Sequence, residues 1–391
     1  MRMLGFKLVK YIALVKYAAC VAIAALILSL GLNAANAAEG GLKPEDTPYY
    51  SRYNFIKSDN YLNIGVQPLL LPSGIITKVM SRDLILRQRL QEMGIKMVFY
   101  SFLGGNDVSK FFLSDDIQAG VAGDMPTITA ASKKDVFIPA IMQQSFVSIV
   151  ARRPEFIEEL KGKRIGYIPG STGHYSLMMI LSYSGLTEKD VTLVPLGHAE
   201  MASALSDKKI FAFSVTEPTV SLTLQNYPDS VVIHKVMTVG YCYFSREFYT
   251  KHPQAVRQIV AAEIRAAKWI KGGRENLFLA ATWLQADIKA ITGDKYKITP
   301  EQIADVTIKD MMWLAEVPVV SEKSLKKDGQ IASIVEFMRS YGKIDSTVSA
   351  EKIIGSFDRK LIYDILNEPV KYSLNEFKYD VKAAQDVKAA R

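Results

Sequence analysis

Cysteine is almost absent from this chain, with two in 391 residues, Cys20 and Cys242. Cys20 lies in a leading apolar run, so the rest of the chain holds one thiol and no internal disulfide. Histidine is scarce too. His174, His198, His234 and His252 stand far apart, with no metal-ligand spacing and no cysteine beside them. No metal and no other cofactor is expected. Dense Lys/Arg runs and aromatic–basic alternation are missing, which sets nucleic acid aside as a partner. No repeat of fixed period and no low-complexity tract interrupts the pattern. Nothing pairs a nucleophile with a base, so the chain is expected not to be an enzyme.

The N-terminus reads as a targeting segment. Arg2, Lys7, Lys10 and Lys16 precede an apolar run, Ala18 to Leu32, and then Ala35-Asn36-Ala37-Ala38-Glu39. That order is a secretory signal peptide, residues 1–37, cleaved after Ala37 or Ala38, and it implies an exported protein. The run is short for a span of about 20 residues. An uncleaved anchor, and with it a sensory ectodomain, is the rival. Tyr17 stands where a lipoprotein signal carries Leu, so Cys20 is not read as lipidated. The formal charge is +8, and loss of this segment leaves 44 basic against 40 acidic residues, a charge of +4. About 354 residues then fold on apolar packing alone, enough for two lobes.

Residues 39–58 read as a loose lead-in. Strands are expected near 62–66, 95–100, 117–122, 136–140, 164–168, 191–195, 210–215 and 231–236. Helices are expected near 75–93, 173–184 and 199–206. Two β-α-β runs of similar size imply two mostly parallel sheets with helices on both faces. From Pro253 the pattern is helical, with helices at 253–271, 274–292, 300–315, 326–341 and 356–367. Trp269, Trp283 and Trp313 fall there as core residues, and the end from Lys378 reads as frayed. Ligands of such sheets bind at the carboxyl ends of the strands. The loops so placed are 67–74, 101–106, 123–126, 169–174 and 216–218.

The most informative stretch is Lys163-Arg164-Ile165-Gly166-Tyr167-Ile168-Pro169-Gly170-Ser171-Thr172-Gly173-His174-Tyr175. A strand enters a Pro-Gly turn, and two hydroxyl residues and a glycine open a helix. Its first N–H groups and its dipole suit a small oxyanion. Ser171 or Thr172 could equally well cap the helix. His174 offers either a neutral imidazole to a ligand or a packing and capping role. Gln67 donates its amide to an oxyanion or is a turn residue. Asp124 and Glu217 would repel a bare anion. They either meet the amine of a zwitterionic ligand or hold loop backbones, Asp124 as a helix N-cap. His198, His234 and His252 read as structural or exposed.

On these loops the chain resembles the periplasmic solute-binding proteins of the sulfonate/taurine/nitrate class of ABC importers. The resemblance is carried by Leu160 to Gly166, Pro169 to Tyr175, Gly185-Leu186, Asp190 to Val194, Leu196 to Glu200 and Glu217-Pro218. Upstream, Gly65-Val66-Gln67-Pro68 and Ala122-Gly123-Asp124-Met125-Pro126 join them. Thr216 departs from the family's aromatic before Glu-Pro, and Leu69-Leu70-Leu71-Pro72 departs from its loop pattern. The resemblance implies an α/β, two-lobed periplasmic-binding-protein fold of type II. Each lobe is a mostly parallel sheet flanked by helices, and the C-terminal part is extra helix. Lobe one would combine 60–147 with 245–391, and lobe two would span 148–240. Crossing segments near Ser148–Arg152 and Val239–Ser245 would form the hinge, and Tyr241 and Tyr243, which flank it, are candidates to line the cleft. It implies a monomer that binds a small anionic or zwitterionic ligand, such as a sulfonate or taurine, through Gln67, Gly123, Asp124, Ser171, Thr172, Gly173, His174 and Glu217. The lobes close on it, and an ABC permease in the inner membrane receives it. Rival functions are binding of a thiamine-precursor pyrimidine and an enzyme on the same scaffold.

Overall fold

The computed structural model describes residues 47–153, 155–311 and 317–381. The expected signal segment, Trp313 and the end beyond 381 lie outside them. Eight strands follow one another: β1 (Tyr61–Val66), β2 (Lys96–Ser101), β3 (Ala119–Gly123), β4 (Val136–Ala151), β5 (Arg164–Tyr167), β6 (Thr192–Pro195), β7 (Ala212–Thr216) and β8 (Val231–Ser245). They form one hydrogen-bonded sheet in the order β2-β1-β3-β8-β4-β7-β5-β6. Within it, β2-β1-β3 is a parallel block, and so is β7-β5-β6.

Two long antiparallel strands tie the blocks together. β4 has 16 residues and β8 has 15. Val136 to Gln144 of β4 pairs with Ser245 to Val239 of β8, on whose other side lies β3. Val147 to Ala151 then pairs with β7 on one side and with Val236 to Val231 on the other. Two sheets and short runs at 136–140 and 231–236 are the sequence expectation. The sheet is continuous instead, because both strands run on from one block into the other.

Three cores flank this junction. The first collects Leu62, Ile64, Val121 and Phe244 from the sheet with Val256, Ile259 and Val260 of the helix Pro253–Lys271. Ile303, Ile334, Ile353 and Ile362 of the later helices join it, so the C-terminal part packs on this lobe. The second and third cover opposite faces of the other block. Ile149, Ile165, Leu177 and Leu181 lie on one face, and Val150, Phe213, Met201 and Leu205 on the other. Neighbouring Ile149 and Val150 point to opposite faces, as the strand period of two requires.

Three local expectations change. The lead-in is not loose throughout. Tyr50 is buried, its hydroxyl donates to Asp107 (2.7 Å), and it accepts from the Leu103 N–H (2.7 Å). Tyr50, Tyr53 and Phe55 pack with Phe102 and Phe111, because burying aromatic area outweighs local polarity. The helix expected over 75–93 is two helices, Ser73–Ser81 and Leu84–Glu92, parted at Arg82 and Asp83. Asp83 caps the second by accepting from Leu86 N–H at 2.9 Å. Tyr241 and Tyr243 are core residues on β8, not cleft residues, because their β8 segment is paired on both sides.

Candidate functional site

The carboxyl ends of the two parallel blocks face each other across a small cavity of about 30 Å³. All five expected loops reach it: Gln67, Leu69 and Leu70 after β1, Gly104 and Gly105 after β2, Gly123 and Pro126 after β3, Ser171 to Gly173 after β5, and Thr216 at the end of β7. Among the described residues its lining includes no Asp, Glu, Lys or Arg.

The turn after β5 is built as its residues demand. Gly170 has φ +68°, the left-handed region that glycine enters freely. A side chain there would also strike Asn106 of the facing helix Gly105–Leu113, at 2.8 Å. Ser171 is the N-cap of the helix Thr172–Tyr183, and its hydroxyl accepts from the His174 N–H at 3.1 Å. The Ser171 N–H donates to Ile168 and the Tyr175 N–H donates to Ser171. The N–H groups of Thr172 and Gly173 have no acceptor among the described residues, and both residues line the cavity. The Gly173 carbonyl is anchored by the Ser214 hydroxyl at 2.9 Å. Of the two capping candidates in the sequence, Ser171 caps the helix, and the next two N–H groups are left over.

Five of the eight expected site residues meet at the cavity: Gln67, Gly123, Ser171, Thr172 and Gly173. The Gln67 amide donates to the Val121 carbonyl at 2.9 Å, which fixes its orientation. Gly123 abuts Thr172 so closely that a Cβ would stand 2.1 Å from the Thr172 hydroxyl oxygen.

Asp124, His174 and Glu217 do not line it. Gly123, not Asp124, is the N-cap of the helix Asp124–Lys133. The Asp124 carboxylate is buried and accepts from the Met125 N–H at 2.8 Å. Burial pushes its pKa up to about 6, against hydrogen bonds from the Met125 N–H, the Thr172 hydroxyl and the Val239 N–H that hold it down. Its carboxylate thus serves its own helix start and lies beside Thr172 and Val239. His174 Nδ1 accepts from the Gly170 N–H at 3.2 Å, and Nε2 lies 3.3 Å from Glu188. Nδ1 must therefore keep its lone pair, and the proton sits on Nε2, facing Glu188. The histidine shapes the Gly170 turn. The Glu217 oxygens accept from the Ser221 N–H and hydroxyl, both at 2.9 Å, which caps the helix Thr219–Asn226.

His198 is the residue sequence reasoning missed. It starts the helix His198–Ser206 and lines the cavity. Burial pushes its pKa down to about 4, so the ring is neutral at physiological pH. The signal lay in its position, first in a helix after a strand of the same block, like Thr172.

A second buried acid has a raised pKa. Asp310, in the helix Pro300–Met311, is buried and its Oδ2 has no partner among the described residues. Burial first, and the Glu217 charge second, push its pKa up to about 7, while Lys235 and Lys309 oppose them. The native state therefore keeps a proton that the unfolded chain has released above about pH 4. Stability from this group is lost as pH rises toward 7, by up to about 4 kcal/mol. Asp310→Asn is expected to flatten that fall, raising stability at pH 8 with little change at pH 4.5. Urea midpoints across that range check it, and parallel slopes for the two proteins would reject it.

Comparison with known proteins agrees with this architecture. Residues 90–273 match the family described as NMT1/THI5 like. The taurine-binding periplasmic protein of Escherichia coli strain K12 is 24% identical over 272 residues, 64% of this chain and 83% of the relative. The nitrate-binding protein NrtA from Synechocystis PCC 6803 superposes with a TM-score of 0.60 at 12% identity, over 83% of this chain and 92% of NrtA. The alkanesulfonate-binding protein SsuA from Xanthomonas axonopodis pv. citri, bound to MOPS, gives 0.55 at 18% identity, over 77% and 98%. By this match over residues 90–273 and by its fold, the chain is similar to the periplasmic solute-binding proteins that it resembles in its Pro169–Tyr175 turn.

Proposed function

We propose that this chain is the periplasmic substrate-binding component of an ABC importer for a small organic anion such as a sulfonate or taurine. It acts as a monomer, closes its lobes on the ligand and delivers it to a permease in the inner membrane. The single observation that carries this is the pair of N–H groups, Thr172 and Gly173, that lack an acceptor among the described residues, at a helix start that opens into a cavity lined by no charged residue among them. Fixed dipoles in a dry site hold an anion without a cationic side chain. The helix end contributes up to about 2 kcal/mol when partly buried. Each hydrogen bond to a charged group adds about 1.5–3 kcal/mol. Micromolar binding takes about 8 kcal/mol, so exclusion of water on closure is needed for the balance.

The crossing point of the lobes falls, on this proposal, where β4 and β8 change partners, around Gln144–Phe146 and Met237–Val239. That lies a few residues from the expected hinge segments. The lobe boundaries, 60–147 with 245–391 and 148–240, are proposed with that adjustment. Of the candidate ligands, a bare monoanion fits the lining better than a zwitterion. Asp124 and Glu217 are both committed to protein donors and neither lines the cavity, so an ammonium group finds no carboxylate there. A pyrimidine gains nothing from Phe, Tyr or Trp, none of which lines it among the described residues.

Thr172→Pro tests the N–H donors. Thr172 is the first helical residue, where proline's missing N–H takes nothing from the helix. Ser171 before it has φ −87° and ψ 165°, a conformation proline tolerates in its predecessor. Thr172→Val removes only the hydroxyl. Calorimetry with methanesulfonate, nitrate and taurine is expected to show Thr172→Pro at least tenfold weaker than Thr172→Val. Equal affinities for the two variants would remove the helix start from the site, and no binding of any of the three by wild type would remove the anion.

A further inference from the structure

A line of polar groups runs from the C-terminal helical part of lobe one into the cavity wall of lobe two. Tyr296 lies just after the helix Arg274–Thr292, buried in the first core. Its hydroxyl is 3.0 Å from the hydroxyl of Thr219, the first residue of the helix Thr219–Asn226. That same oxygen is 2.9 Å from Nδ1 of His198, a residue that lines the cavity together with Ser171, Thr172 and Gly173. Nε2 of His198 has no partner among the described residues.

Proton counting orients this line. Thr219 has one hydroxyl proton and two neighbours within hydrogen-bonding distance. A buried phenol with a single partner must donate to it, because an unpaired buried donor forfeits its desolvation. Thr219 then accepts from Tyr296 and gives its own proton to Nδ1. A neutral imidazole that accepts at Nδ1 carries its hydrogen on Nε2. His198 is kept neutral by its burial.

We propose that Tyr296 is a positioning residue that, through Thr219, holds His198 in the Nε2–H tautomer and so makes it a third donor to an oxyanion in the cavity. The opposite tautomer would turn a lone pair toward the ligand, repel an anion and accept from an N–H instead. Tyr296 thereby sets the sign of the ligand the site prefers while touching none of it. The consequence for ligands rests on the anion-binding proposal above, whereas the tautomer does not.

The experiment is long-range proton–nitrogen correlation on protein labelled with nitrogen-15 histidine, at pH 7, with the His198 signals assigned by their loss in His198→Gln. Wild type is expected to show Nε2–H. Tyr296→Phe frees Thr219 to accept, so Nδ1–H should appear as a substantial fraction. Thr219→Val removes the donor altogether and is expected to shift the tautomer in the same direction, which provides the readout should Tyr296→Phe fold poorly. Calorimetry with methanesulfonate is expected to show about a tenfold loss in each variant. Nδ1–H in wild type, or an unchanged tautomer in both variants, would overturn the relay even if methanesulfonate binds. A tautomer that shifts as expected in a wild-type protein that binds no anion would leave the relay standing and sink the anion alone.

Discussion

Gly123→Val is expected to weaken ligand binding at least a hundredfold while leaving the fold intact. Gly123 ends β3 in one parallel block, and Thr172 opens the helix Thr172–Tyr183 after β5 of the other, which are the two lobes of the proposal above. The two approach so closely that an added Cβ would lie 2.1 Å from the Thr172 hydroxyl oxygen and 3.1 Å from its Cβ. The backbone itself does not ask for glycine. Its φ of −66° and ψ of 177° are open to any residue. The collision therefore lies between the lobes and not within one. A valine keeps them apart, water stays in the cavity, and the dipoles lose the dry surroundings that give them strength. A hundredfold loss corresponds to about 2.7 kcal/mol. Calorimetry measures the affinity, and small-angle scattering shows whether ligand still contracts the molecule. Wild-type affinity in a variant that contracts normally would place the ligand somewhere other than this cleft.

Asp83→Ala is expected to destabilise the protein by about 3–5 kcal/mol, the range for breaking a buried ion pair from one side. Arg265 and Asp83 are both fully buried. The guanidinium donates twice to Asp83 Oδ2, from Nε at 2.9 Å and from Nη2 at 2.7 Å, and its Nη1 donates to the Tyr372 carbonyl at 2.8 Å. Beside them Lys378 accepts from the Leu84 N–H and the Asp380 N–H donates to Arg82. Alanine would strand a positive charge in the core and strip the cap from Leu84–Glu92. Arg265→Met alongside it should recover much of the loss, since the expense lies in the unpaired ion and not in the missing attraction. Urea denaturation of the single and double variants checks both. A single variant within 1 kcal/mol of wild type would show that water reaches Arg265.

The local chemistry of the site was legible in the chain before any contact was known. Pro169-Gly170-Ser171-Thr172-Gly173 prescribes a strand, a left-handed turn and a capped helix start, and the structure has each of them. The five loops at the strand ends were legible for the same reason, since alternation of strand and helix fixes which ends of a parallel block carry ligands. Less of the partner choice was readable. Nothing local tells Asp124 that Thr172 and Val239 will donate to it, or tells His174 that Glu188 waits 14 residues on. His198 looked incidental because its meaning depends on Thr219 and on Tyr296, which lies 77 residues beyond Thr219.

By itself the sequence determined two lobes of β-α-β build, a helical remainder and a helix start with spare N–H groups. These follow from periodicity and turn chemistry within a dozen residues, where the chain has few conformations to choose from. Only the tertiary structure decided that β4 and β8 knit one sheet, that Asp124 and Glu217 are spent on protein donors, and that His198 belongs to the cavity. Those outcomes depend on which buried polar groups become neighbours once the lobes meet, because a buried donor or acceptor must find a partner wherever packing leaves it.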